Sequence, residues 1–219
     1  MITVSPRKNS EVEEPLLKEM GITPGQLVIL FVGTYKPTAG VDDLIIAFDR
    51  LFNDYTDCSF FLIGTGPSKH QCRKLADGLR SNNVIKFIDR VPYKELLTYQ
   101  SLTNVIVCPD KDNPYSHYVI HVKYFDALIS GKLVINGAFE SVKEINPDDC
   151  LSLTFEPSNI DSLYNKLKLC RKEQHFLEKK YGQTKNYVAN NLTYHSFIHK
   201  LINSFKTLDT KPAEDSSLL

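Results

Sequence analysis

The sequence carries no excess of either charge: Lys+Arg and Asp+Glu both number 26 over 219 residues. Without a surplus there is no bulk electrostatic basis for a nucleic-acid or anionic-membrane partner. No run approaches the roughly 18 apolar residues of a membrane-spanning helix, and no signal-peptide pattern opens the chain, so the expected location is cytoplasmic. Cysteine is sparse and irregular. Cys58, Cys72, Cys108, Cys150 and Cys170 are odd in number and mostly set in apolar patterns, which fits buried free thiols in a reducing compartment better than disulfides or a metal site. Neither a Gly-x-Ser-x-Gly elbow nor a Cys/His nucleophile arrangement is present, so acyl-transfer hydrolysis has no support. No internal repeat is visible.

What is there is ordinary globular composition, 42% apolar and 24% charged. At this length one α/β unit with flanking segments is the economical expectation. Residues 1–26 read as a linker or hinge remnant with one weakly amphipathic patch from Glu14 to Met20, and residues 207–219 have the composition of a flexible tail. Between them, residues 27–206 alternate short apolar runs with amphipathic segments. The pattern predicts strands at Leu27–Val32, Ser59–Ile63, Val84–Ile88, Asn104–Cys108 and Leu133–Ile135, and a short apolar piece at Cys150–Phe155. Helices are predicted at Val41–Asp54, Ser68–Arg80, Tyr93–Ser101 and Val119–Ser130, then at Asn159–Arg171, Glu173–Asn190 and Tyr194–Phe205. Such alternation implies a Rossmann-like, doubly wound parallel sheet of about six strands, with helices on both faces and extra helices at the C-terminal end.

The stretch from Tyr118 to Asn136 organises the rest. Val119, Val122, Phe125, Leu128 and Ile129 recur at helical spacing, with Lys123 and Asp126 one turn apart on the other flank. Gly131 suits a left-handed helix end, and a buried strand follows at once. A helix N-terminus would then face the mouth of a sheet, where free backbone N–H groups attract phosphate. Upstream, Gly33 to Gly40 offers glycines for close backbone approach, hydroxyls and the cation Lys36 ahead of another helix. Gly64-Thr-Gly66-Pro67 is a tight turn and not the six-residue dinucleotide fingerprint.

Lys123, Phe125, Asp126, Gly131, Lys132 and Val134 resemble the K-x-F-E…G-K-P-V signature of the donor-binding half of family 4 (group 1) glycosyltransferases, which have the two-domain GT-B fold. Phe31-Val-Gly33-Thr through Gly40-Val-Asp42-x-Leu44-Ile-x-Ala47-Phe48 resembles that family's opening. Leu62-Ile-Gly64-Thr-Gly66-Pro67 resembles its IGDGP loop, and Val91-Pro-Tyr93-x-Glu95-Leu96-x-x-Tyr99 its VPYEELPxY segment. The four motifs keep the family's order and spacing over residues 27–136, with a looser fit to about residue 206.

The resemblance implies transfer of a hexosyl unit from a nucleoside-diphosphate sugar, with retained configuration and no metal or other cofactor. Gly33, Thr34 and Lys36, the loop at Gly64 and Gly66, and the helix end at His121, Val122 and Lys123 would approach the donor phosphates. Arg90 and Val91 would flank the base, and Asp126 the ribose; Asp126 paired with Lys123 on the helix surface is the alternative that needs no ligand. The acceptor would be held by an N-terminal domain, in the same or a separate chain, through which peripheral membrane contact would come; the isolated chain would then transfer little. The pattern also departs from the family's. Thr34 and Ala39 stand where it has Arg and Lys, and Tyr118 stands where the first acid of its E-x7-E pair falls. These losses keep open a degenerate binding or scaffold module, and a GT-B nucleotide-sugar epimerase is a third reading. Tyr115-Ser-His-Tyr118 reads as a pocket-rim loop; His117 and His121 bracket the helix start, where they can hydrogen-bond a phosphate or sugar oxygen but lack a third metal ligand in range, and His195 and His199 read as one surface face.

Overall fold

The structure, a computed structural model, describes residues 18, 20–193, 198 and 201–206. Six strands, β1 (Leu27–Val32), β2 (Cys58–Ile63), β3 (Ile85–Ile88), β4 (Val105–Cys108), β5 (Leu133–Gly137) and β6 (Leu153–Phe155), form one parallel sheet in the order β3-β2-β1-β4-β5-β6. Eight α-helices, among the helical stretches of the described residues, connect and cover it: α1 (Val41–Asp54), α2 (Lys69–Asp77), α3 (Tyr93–Ser101), α4 (Val122–Ile129), α5 (Glu140–Ile145), α6 (Ile160–Lys172), α7 (Gln174–Lys180) and α8 (Thr184–Asn191). The expected Rossmann-like α/β architecture is what the chain adopts.

The reason lies in two periodicities. Strand side chains alternate, so Leu27, Ile29 and Phe31 of β1 enter one core with α1, α2 and α6, while Val28 and Leu30 enter the other with α4, α5 and α8. Both faces are apolar, and the sheet is buried on both. In α1, Val41, Leu44, Ile45, Phe48 and Leu51 form the buried stripe, and Asp42 and Asp43 in its first turn suit the positive end of the helix. The Phe48 and Phe60 rings lie 5.1 Å apart with both residues fully buried, each side chain contributing about 1.5–3 kcal/mol by leaving water. α6 is tied at the rim to α1 and to the turn after it: Arg50 pairs with Asp161, Lys168 Nζ reaches Asp54 at 2.8 Å, and Arg171 pairs with Asp57 just ahead of β2. Among the cysteines, all free, four are buried and Cys150 is exposed; burial pushes the Cys58 and Cys170 thiols up to about 12, which leaves them protonated and inert.

Several expected elements change. The helix expected over Val119–Ser130 begins only at Val122, so its inward stripe is Tyr124, Ala127 and Leu128; Val119 and Val122 are exposed. The helix expected over Glu173–Asn190 is two, α7 and α8, parted at residues 181–183 around Gly182. α5 was not expected at all; its N-cap is Phe139 and no side chain caps it, so it lacks the usual starting mark. Residues 201–206 are helical as expected. The patch at Glu14–Met20 falls mostly, and His195, His199 and the tail fall wholly, outside the described residues.

In this strand order β1 and β4 are neighbours whose crossovers leave on opposite faces of the sheet. The crevice outside their carboxyl ends is where such sheets hold ligands.

Candidate functional site

Three segments meet at that crevice. The β1–α1 loop is fixed first by its neighbour after β2: Gly33 N donates to Ile63 O at 3.1 Å, Tyr35 N to Thr65 O at 3.0 Å, and Ser68 N to Tyr35 O at 3.1 Å. Gly64, with φ of +141°, makes this approach possible, since a Cβ there would lie 1.9 Å from the Gly33 carbonyl oxygen. Gly66 likewise lies against the Tyr35 backbone, where a Cβ would come within 2.5 Å. Lys69 closes the far side, donating to the Gly64 and Ile88 carbonyls at 2.7 and 3.0 Å and to Asp89 at 2.7 Å.

The β4–α4 loop packs on the other end of the same segment. Gly40 sits against the Pro109 carbonyl, where a Cβ would come within 1.8 Å, and Lys111 N donates to Thr38 O at 2.9 Å. The Lys111 ammonium spans Asp42 and Asp43 at 2.6 and 3.4 Å, and this pairing raises its pKa against the cost of burial. Asn113 shapes the loop beyond, accepting from the N–H of Tyr115 and Ser116 at 3.1 and 3.2 Å. His117 is held by Asp112 at 2.8 Å and stands edge-on to Phe139.

The third segment is the start of α4. His121 is its N-cap in extended conformation and supplies no side-chain cap; the Tyr124 N–H turns back to the His121 carbonyl at 2.9 Å, and the N–H groups of Val122 and Lys123 are left for a ligand or solvent. Lys123 points back under the loop, with its ammonium 2.7 Å from Asp110, a buried carboxylate just past β4, and 5.8 Å from the Phe31 ring centroid.

Together these segments enclose a cleft of about 490 Å³. Of the residues expected to bind, Gly33, Thr34, Lys36, His121, Val122 and Lys123 line it. Gly64 and Gly66 lie behind it and hold the first loop in place. Arg90 and Val91 follow β3, Arg90 exposed and Val91 half-buried against the second core; Tyr118 is 85% exposed and does not line the cleft. Asp126 is exposed on α4, its side chain makes no hydrogen bond or ion pair among the described residues, and partial burial of the carboxyl is what pushes it up. The surface pair of Asp126 with Lys123 does not form, because Asp110 takes the lysine. Ala39 is buried on the cleft wall, so the family's second cation has no counterpart there, and Lys36 and Lys123 are the two lysines on the lining.

Sequence reasoning missed Asp110, Asn113 and Val119 on this lining, while Tyr115 and Ser116 belong to the loop it placed at the rim. Asp110 was findable: it sits two residues past a predicted inner strand, where loops carry ligand-facing side chains. A second groove, of about 520 Å³, runs along the edge strand β3 between Arg73, Lys86 and Tyr99, away from the β1–β4 crevice.

The family model described as glycosyl transferases group 1 matches residues 13–191. Alpha-monoglucosyldiacylglycerol synthase of Acholeplasma laidlawii is 26% identical over 98 residues, which is 45% of this chain and 25% of that protein. A glycosyltransferase from Rickettsia africae has TM-score 0.74 at 16% identity, over 96% of this chain and 54% of that one. HepE of Anabaena, in complex with UDP and glucose, has TM-score 0.74 at 13% identity, over 93% and 53%. The chain thus spans a quarter of the first relative and about half of these two structures. It also covers 95% of the C-terminal domain of the group 1 protein LpcC from Francisella tularensis, with TM-score 0.69 and 19% identity over 86% of this chain. At such identities the structures speak for the fold; the family match, over most of the sequence, speaks for descent, and the chain belongs to the group 1 glycosyl transferases.

Proposed function

We propose that this chain is the donor-binding part of a retaining glycosyltransferase and that it holds a nucleoside-diphosphate sugar across the β1–β4 crevice. The observation that carries this reading is the convergence, on one cleft at the switch point, of the Gly33–Lys36 loop, the N-terminus of α4 and Lys123. HepE, of the same fold, is known with UDP and glucose bound.

In this reading the reaction breaks the bond between the sugar's anomeric carbon and the diphosphate oxygen, which leaves with the electron pair. The acceptor's oxygen bonds to that carbon, on the face the leaving group held, and its proton passes to the departing diphosphate. The chain's task is to stabilise the charge that develops on the leaving group. Lys36, the Gly33–Thr34 backbone and the first turn of α4 supply that field without moving, since both loops are already pinned. Arg90 and Val91 flank the base, Asp126 accepts from ribose hydroxyls, and Tyr118 lies at the rim. No metal is invoked. The acceptor, and the group that orients it, come from an N-terminal domain in the same or a separate chain, and any membrane contact is made through that part.

Titration calorimetry with UDP, GDP and ADP and their glucose conjugates tests the reading. Binding of one series in the micromolar-to-millimolar range, with little transfer by the isolated chain, is expected; silence from all of them at millimolar concentration would defeat it. A second reading, a non-catalytic docking module of the same fold, is favoured by one observation: Asp110 already neutralises Lys123. Transfer by a two-domain protein containing this chain, abolished by Lys36→Ala with folding intact, would rule that out.

A further inference from the structure

Asp110 is the one acidic side chain among the described residues that line the cleft. Its side chain is 10% exposed, and both oxygens lie on the same ammonium, Oδ1 at 2.7 Å and Oδ2 at 2.6 Å from Lys123 Nζ. An ionised carboxylate accepts up to about four hydrogen bonds, and among the described residues Lys123 is the one donor on this carboxylate. The amide on the same lining is otherwise engaged: Asn113 donates to Ser116 Oγ at 2.6 Å and to the Lys111 carbonyl at 3.0 Å.

A buried carboxylate with spare acceptor capacity asks its ligand for donors and repels negative charge. A diphosphate at neutral pH offers charge and no donors. Sugar hydroxyls offer donors and no charge. We propose that Asp110 is the sugar-reading residue of the cleft, fixed by Lys123 so that its free lone pairs select a neutral, hydroxyl-bearing sugar and reject an acidic one. This rests on the donor-binding reading above. It divides the cleft into two ends, with the diphosphate toward Lys36 and the sugar toward Asp110.

The test is a ratio, measured by calorimetry on the chain as it stands: the Kd of UDP over that of UDP-glucose, with the GDP and ADP pairs run in parallel. In the unmodified protein the glucose conjugate is expected to bind about tenfold tighter than the bare nucleotide, the scale of one or two hydrogen bonds to a charged group, and tighter than the glucuronate conjugate. Asp110→Asn is expected to bring the first ratio to about one and to narrow the gap to the glucuronate conjugate. Because that change leaves Lys123 without its counter-charge, the double variant Asp110→Asn/Lys123→Met is measured too, with thermal melting of both. It removes the pair whole and is expected to lose the sugar preference in the same way. A ratio that stays put in both variants, or equals one in the unmodified protein, overturns the inference while leaving nucleotide binding intact. Failure of the unmodified protein to bind any nucleotide is a different result, and overturns the donor-site reading beneath it.

Discussion

Gly64→Ala probes the contact on which the cleft's geometry depends. The added Cβ would sit 1.9 Å from the Gly33 carbonyl oxygen, where real Cβ atoms keep beyond 3.0 Å, so one loop must retreat by more than 1 Å. The backbone at φ +141° is also a conformation that L-residues avoid, which costs on the order of 1–3 kcal/mol. Retreat would stretch the Gly33 N–Ile63 O and Tyr35 N–Thr65 O bonds, each worth about 1 kcal/mol. The sum is about 3–5 kcal/mol, a large part of the 5–15 kcal/mol that holds a domain together. Urea denaturation followed by circular dichroism measures it, with thermal melting expected to fall by roughly 6–20 °C. Gly78→Ala is the control. That glycine already has helical geometry, with φ −87°, and its nearest new neighbour is 3.6 Å away, so the change should be neutral or stabilise by up to about 1 kcal/mol. A Gly64→Ala protein within about 1 kcal/mol of the unmodified chain would mean that the loops after β1 and β2 do not touch, and the account of the site would fall with it.

Other outcomes follow from single side chains. Lys36→Ala should weaken nucleotide binding about tenfold or more in calorimetry yet leave the melting temperature in place, because Lys36 is exposed and makes no side-chain hydrogen bond or ion pair. Asp126→Asn should do the reverse for stability while also weakening binding. Burial alone raises the Asp126 carboxyl, so the folded state holds its proton more tightly than the unfolded one, and stability falls as pH rises through that window. The asparagine should therefore melt slightly higher at about pH 7, by a few tenths of a kcal/mol at this exposure, and no higher at about pH 3. Asp57 has the opposite sign: the Arg171 guanidinium holds its carboxyl below the usual range, so its stabilisation is present above the unfolded pKa near 3.8 and is lost as pH falls through the lower folded value. Asp57→Asn should flatten that acid limb by less than about 1 kcal/mol, since the pair is only half-buried and screened by solvent; a double-mutant cycle with Arg171→Met isolates the contribution.

How much of this was legible in the residues depends on how each signal is carried. β1 and α1 were readable to the residue, because an unbroken apolar run and a clean helical stripe each bury the face their pattern names. α4 was misplaced by three residues at its start, because Val119 and Val122 continue the helical spacing into a loop whose path Asn113 and His117 dictate instead. The break at Gly182 was overlooked because the apolar spacing runs on across it. The parts of the site that depend on chain position, Gly33 to Lys36 and the start of α4, were visible; the pairing of Lys123 with Asp110 was not. Thirteen positions separate the two in sequence, and only the fold of the β4–α4 loop brings them together.

The order of the strands bears on how the chain is made as well as on where it binds. β1 is the earliest strand described and one of the two innermost, yet its partner on one side is β4. At a synthesis rate of about 5–20 residues per second, several seconds pass between the two leaving the ribosome. During that interval a fully apolar ribbon, LVILFV, can pair with β2 alone and keeps one hydrogen-bonding edge bare. Nascent β1–β2 pairs are therefore the stage at which this protein is most exposed to clumping with its own kind, and where a chaperone would find most to hold.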